Sequence, residues 1–138
     1  MNSPLLGLDI GLRRTGVALS ESGLIAQPLK TIEWQPPHAA SLIAEIMNLV
    51  KHYQVQTLVV GVPYDDEGEV TGQAVKTERL IHQIEVEIRQ QSLSATIERF
   101  NEYHSTLDAR QLFPGEDKDA AAAAVILQDY IEQNGDSW

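Results

Sequence analysis

Apolar and polar positions divide the chain into segments of two different periods. Leu5, Leu6, Leu8 and Ile10 form a nearly continuous apolar run, as expected of a strand buried on both faces. Gly11 and Gly16 punctuate it, and residues 16–20 predict a returning hairpin strand. A third short strand is expected over 29–34, ended by Pro36 and Pro37, which no central strand tolerates. Leu42, Ile43, Ile46, Leu49, Val50 and Tyr53 then recur at helical spacing and predict a helix over about 38–53. Residues 57–63 read as a β-branched core strand, and 65–69 as a polar loop. Val70, Ala74, Thr77, Ile81, Ile84 and Ile88 step by four and three, the mark of a long amphipathic helix. Residues 94–100 alternate as a fifth strand. Ser105 or Thr106 can cap a short helix through Leu112, which Pro114 and Gly115 break. The last helix is expected over 117–133, with Val125, Ile126, Leu127, Tyr130 and Ile131 towards the core and a frayed tail from Asn134.

This order, three strands and then alternating helices and strands, predicts an α/β domain with a mixed sheet. No repeat, linker or low-complexity segment interrupts it, so residues 1–138 are expected to form a single domain. A sheet of this order brings the ends of its first, fourth and fifth strands near one another, and a site is to be sought there.

Composition narrows the chemistry. There are no cysteines, which excludes disulfides, thiolate metal sites and cysteine nucleophiles. No apolar run approaches the ~20 residues of a membrane span and no signal-peptide pattern opens the chain, so the expected compartment is the cytoplasm, without a membrane partner. Twenty Asp and Glu against ten Lys and Arg leave a net charge of −10. Such a chain should not bind nucleic acid through bulk electrostatics; a local basic strip or a metal site would be needed. Any such binding is expected to be weak and to fall steeply with salt.

Three carboxylates fall where a metal site could form. Asp9 ends the first strand, Glu102 follows the fifth, and Asp119 lies in the first turn of the last helix, on an alanine-rich face that permits close approach to the sheet. Carboxylates converging from separate segments repel one another unless a cation joins them, and hard oxygen ligands suit Mg²⁺ or Mn²⁺. Each residue has a plainer role open to it. Asp9 could form a turn, Glu102 could be solvated, and Asp119 with Asp117 could complement a helix N-terminus.

Residues 7–18, reading Gly-Leu-Asp-Ile-Gly-Leu-Arg-Arg-Thr-Gly-Val-Ala, resemble the opening D-x-G-x-x-R-x-G-V-A signature of the YqgF/RuvX family. The resemblance continues through Val59-Val60-Gly61-Val62-Pro63. It ends in Asp119 with the alanines that follow it, and in Ile126-Leu127-Gln128-Asp129-Tyr130. These Holliday-junction-resolvase-like proteins are regarded as nucleases that mature the 5′ end of pre-16S ribosomal RNA. The resemblance implies an RNase H-like fold, a five-stranded mixed sheet in the order 3-2-1-4-5. It implies catalytic and metal-holding carboxylates at Asp9, Glu102 and Asp119, a basic residue beside them at Arg14, and Mg²⁺ or Mn²⁺ as cofactor. The implied substrate is RNA, with branched DNA as the other possibility, and the chain could be a monomer or a homodimer.

Two departures stand out. The family's D-E-R-x-T-[TS] reads here Asn101-Glu102-Tyr103-His104-Ser105-Thr106, and the loop after Pro63 carries Asp66-Glu67-Gly68 where M-D-G or similar is usual. Arg13 could assist Arg14, and Lys76 and Arg79, three apart on the long helix, could extend the basic strip; alternatively they only solvate a surface helix. His104 could shuttle a proton or do nothing. The aromatics are few and show no interleaved basic pattern for stacking single strands. Two rival functions stay open: a non-catalytic scaffold or binding module, favoured by Asn101, Tyr103 and the acidic charge, and ATP phosphotransfer of the actin–hexokinase kind. Length disfavours the second, since those enzymes bind nucleotide between two such domains.

Overall fold

The computed structural model describes residues 3–64, 72–102 and 112–134. The chain runs β1 (Leu5–Ile10), β2 (Arg14–Ser20), β3 (Gln27–Glu33), α1 (Ala40–Tyr53), β4 (Thr57–Val62), α2 (Gly72–Gln90), β5 (Thr96–Asn101) and α3 (Lys118–Asn134). The strands form one sheet in the order β3-β2-β1-β4-β5. β1, β2 and β3 pair antiparallel, while β4 lies parallel to both β1 and β5. This is the mixed sheet and strand order of the RNase H-like fold.

Alternation along the central strands sorts side chains onto two faces. Leu6, Leu8 and Ile10 of β1 and Leu58, Val60 and Val62 of β4 join α1 and α2 in one core. Leu5, Val59 and Phe100 face the other way and pack against Ala123, Ala124, Ile126 and Leu127 of α3. The predicted stripe of α2 is the one buried: Ala74, Thr77, Ile81, Ile84 and Ile88 all lie inside.

Differences from the sequence reading fall at element ends. β3 begins two residues before 29 and includes Pro28, because β3 is an edge strand and a bulge between Val17 and Ala18 relaxes the ladder there. Helix α1 starts at Ala40, after a turn at 35–38 closed by the Gln35–His38 bridge. Asn134 belongs to α3, where its side chain donates to the Tyr130 carbonyl (2.8 Å). The polar loop at 65–69, Val70, and the short helix expected at 105–112 fall outside the described residues, Leu112 excepted.

Gln128 clamps the β2–β3 loop to α3, accepting from the Ala26 N–H (2.8 Å) and donating to the Leu24 carbonyl (3.2 Å). The closest approach of α3 to the sheet is at Gly16. A Cβ there would stand 1.8 Å from the Asp119 carbonyl oxygen, so the first turn of α3 can rest on β2 only over a glycine. Overpacking of a closed core costs about 1–3 kcal/mol, and here the obstacle is backbone. Gly16→Ala should therefore lower unfolding free energy by at least about 2 kcal/mol in a urea titration. At Gly72, where an added Cβ meets open space, the same change should be neutral or mildly stabilising.

Candidate functional site

The α3 face of the sheet carries acid at one end. Asp9 has the same parity on β1 as Leu5, and Glu102 the same parity after β5 as Phe100, so both carboxyls are turned towards α3. Glu102 reaches inward over Gly61 of β4. A Cβ at that position would lie 2.5 Å from Glu102 Oε1 and 2.6 Å from Ile126 Cδ1. The glycine of the Val-Val-Gly-Val-Pro motif is thus the space through which the Glu102 side chain passes.

Asp9 and Glu102 meet directly. The Glu102 carboxyl donates a hydrogen bond to the Asp9 carboxylate, so the two hold a proton between them. Burial, then the Asp9 charge and this hydrogen bond, push Glu102 up to about 7. Asp9 is also raised, chiefly by burial; the bond from Glu102 opposes the rise and the Asp119 charge adds to it. Two carboxyls forced together in a half-buried place retain a proton when no cation is there to replace it.

The two acids of the α3 terminus separate by role. Asp117 is the cap: its Oδ1 accepts from the backbone N–H of Asp119 (3.0 Å) and of Ala120 (3.2 Å) and from the Thr31 hydroxyl. Those bonds, the Thr31 one foremost, hold its carboxyl below the usual range. Asp119, freed from capping, faces Asp9. Its Oδ2 is buried, lacks a hydrogen-bond partner among the described residues, and has Arg14 Nη1 at 3.7 Å. Arg14 is itself exposed at the start of β2.

A divalent cation suits this donor set. The oxygens are hard, one of them is orphaned in a buried position, and the other two carboxyls are occupied by a shared proton that a cation would displace. The cage is not closed in this arrangement. Among the described residues no three acidic or histidine side chains stand together closely enough to hold an ion, because Asp119 leans to Arg14 while Asp9 and Glu102 hold each other.

The other predicted residues lie close by but apart. Arg13 and Arg14 line a shallow depression with Glu33 and Trp34. Lys76 and Arg79 line a further depression, reached past Leu12 and Pro36 on the opposite face of the sheet. Asn101 pairs with Val62 at the end of β5, whereas Tyr103 and His104 lie outside the described residues. A wider groove between α1 and α2 is lined by none of Asp9, Glu102 and Asp119.

Sequence reasoning missed one network, on the α2 side of the sheet. Arg99 of β5 grips Glu78 of α2 (Nε to Oε1, 2.8 Å), and Glu78 also accepts from the Tyr64 hydroxyl (2.5 Å). Burial works to raise Glu78, but the hydrogen bonds from Tyr64 and Arg99 hold its carboxyl below its ordinary value. The group ties the chain leaving β4 to α2 and β5. No spacing signal joins residues 64, 78 and 99, so nothing in the sequence announces it.

Comparison with known proteins agrees with this fold. Residues 3–133 match the family model described as "RuvX: Holliday junction resolvase". A protein of Chloroflexus aggregans named "Putative pre-16S rRNA nuclease" is 36% identical over 138 residues, 93% of this chain and 92% of the relative. One of the same name from Acaryochloris marina is 39% identical over 134 residues, covering 93% and 91%. Among solved structures, Thermus thermophilus RuvC in complex with Holliday junction substrate superposes with a TM-score of 0.64 at 11% identity, over 95% of this chain and 94% of that one. The yeast mitochondrial Holliday junction resolvase gives 0.62 at 10% identity, over 97% and 80%. At such low identity these two structures speak for the fold.

The shared proton has a measurable consequence. A carboxyl whose folded pKa is raised from 4.5 to about 7 stabilises the fold fully below the lower value and loses that contribution as pH rises through the upper one. In EDTA the melting temperature should therefore fall between about pH 5 and about pH 7.5. Glu102→Gln should flatten that fall, and Mn²⁺ at alkaline pH should raise the melting temperature of the wild type more than that of the variant.

Proposed function

Because this chain belongs to the RuvX family of Holliday junction resolvases, we propose that it is a divalent-metal-dependent nuclease that hydrolyses phosphodiester bonds in structured RNA. Its role on this reading is 5′-end maturation of pre-16S ribosomal RNA in the cytoplasm, performed by a single RNase H-like domain over residues 1–138. The observation that carries the reading is the proton-sharing pair Asp9–Glu102, with the orphaned Asp119 oxygen facing Asp9. The relatives' name supports RNA as substrate.

Asp9, Glu102 and Asp119 would hold Mg²⁺ or Mn²⁺. When bound, such an ion activates water and neutralises charge developing on the phosphoryl group. Glu102 gives up its proton near neutral pH, so the site reaches its full negative charge in the range where it would work. Asp119 lies within 3.7 Å of Arg14 and would be one of the ion's ligands, and the exposed Arg14 guanidinium would bind the scissile phosphate through its fork of donors. Arg13 stands beside it as a second cation. The close seat of α3 over Gly16, with Gly61 leaving room for Glu102, fixes where these groups lie.

A second reading, a nucleic-acid-binding scaffold without turnover, is favoured by Asn101 in place of the family's aspartate and by the net charge of −10. The test is incubation of a short precursor ribosomal RNA and a four-way DNA junction with Mg²⁺, Mn²⁺ or EDTA. Cutting of the RNA that needs metal, and that Asp9→Asn reduces by at least about a hundredfold, is expected. Cutting of the junction alone would make the substrate branched DNA. No cutting of either by folded protein would leave the scaffold.

A further inference from the structure

Three shallow depressions run together at the end of the sheet where β1 terminates. Arg13, Arg14 and Trp34 line the first, Leu12, Arg13 and Pro36 the second, and Leu12, Trp34, Pro36, Lys76 and Arg79 the third. Shared residues make them one path. Ile10 and Gly11 also line the third, so it begins one residue beyond Asp9, on the opposite face of the sheet. The backbone fixes this corner: Gly11 N–H donates to the Arg14 carbonyl and Trp34 N–H to the Arg13 carbonyl, both at 2.9 Å.

The walls of the third depression are apolar and its rim is cationic. Leu12 is 56% exposed at the tip of the β1–β2 turn and carries the apolar wall out to the solvent. Trp34 is half-buried, with an indole N–H that has no acceptor among the described residues. Lys76 and Arg79 are exposed on the first turns of α2. With Arg13 and Arg14 they make four of the ten cations of a chain that carries twenty acids, gathered along one path.

We infer that this groove binds an unpaired nucleotide of the substrate next to the scissile phosphate, its base against Leu12, Trp34 and Pro36 and its phosphates on Lys76 and Arg79. At about 250 Å³ the groove is of a size for a single base. Base stacking on an aromatic wall is insensitive to sequence, and cations at the rim fit the phosphates on either side. The inference rests on the nuclease reading for its substrate. It adds that a single-stranded segment passing over the end of β1 is selected against continuous duplex.

The test uses the full chain carrying Trp138→Phe, which leaves Trp34 as the only tryptophan of the two. A single-stranded RNA octamer and a blunt duplex of the same sequence are titrated in EDTA, so no cleavage is needed. The octamer should quench Trp34 fluorescence, and the duplex should bind more weakly without quenching. Combined Lys76→Ala and Arg79→Ala should weaken octamer binding about tenfold and reduce the slope of log affinity against log salt by about 1.4. Leu12→Ala, at an exposed position that cannot unfold the chain, should weaken binding several-fold. Unchanged octamer affinity in these variants at wild-type melting temperature, or equal quenching by duplex, would overturn the inference. Absence of metal-dependent cutting alongside the expected binding would instead count against the nuclease reading alone.

Discussion

The seating of helix α3 on three glycines, with Gly7 beneath Ala123 and Leu127, is the constraint from which the rest of the site follows. Gly16 lets the first turn of α3 touch β2, and Gly61 lets Glu102 and Ile126 share the space above β4. A side chain at either place would lift the helix or eject the glutamate. With the helix held down, Asp119 is brought opposite Asp9, and Asp9 against Glu102. The fold therefore accepts an electrostatic penalty, relieved in the absence of a cation by a proton held between two carboxyls.

That arrangement also explains the division of labour at the start of α3. A helix N-terminus attracts acid in general, and two aspartates close together there look interchangeable in sequence. They are not. Asp117 accepts with one oxygen, Oδ1, from two backbone N–H groups and Thr31, while Asp119 leaves one oxygen buried without a hydrogen bond, near Arg14. An unsatisfied buried carboxylate oxygen is costly, and it persists where a ligand supplies what the protein does not.

Much of this was legible in the sequence because it is written in periods and in close-packing residues. The nearly continuous apolar run of β1 and the stripe of α2 named buried positions correctly, and the alanines after Asp119 announced the close helix. Element ends were less legible: β3 runs through Pro28 because an edge strand with a bulge tolerates it. Contacts between residues far apart in the chain left no trace, as in the Tyr64–Glu78–Arg99 group and the placing of Trp34 beside the cations of α2. The net charge of −10, read as hostile to nucleic acid, conceals a local gathering of arginine and lysine at one end of the sheet.

The central claim is that the Asp9–Glu102 pair and Asp119 make a cation site. Anomalous diffraction at the manganese edge, from crystals of the full chain grown with Mn²⁺, tests it most directly. A peak is expected about 2 Å from oxygens of Asp9 and Glu102, with Asp119 turned from Arg14 towards it. Crystals that hold Mn²⁺ elsewhere, with Asp9 and Glu102 still bonded to each other, would contradict the claim.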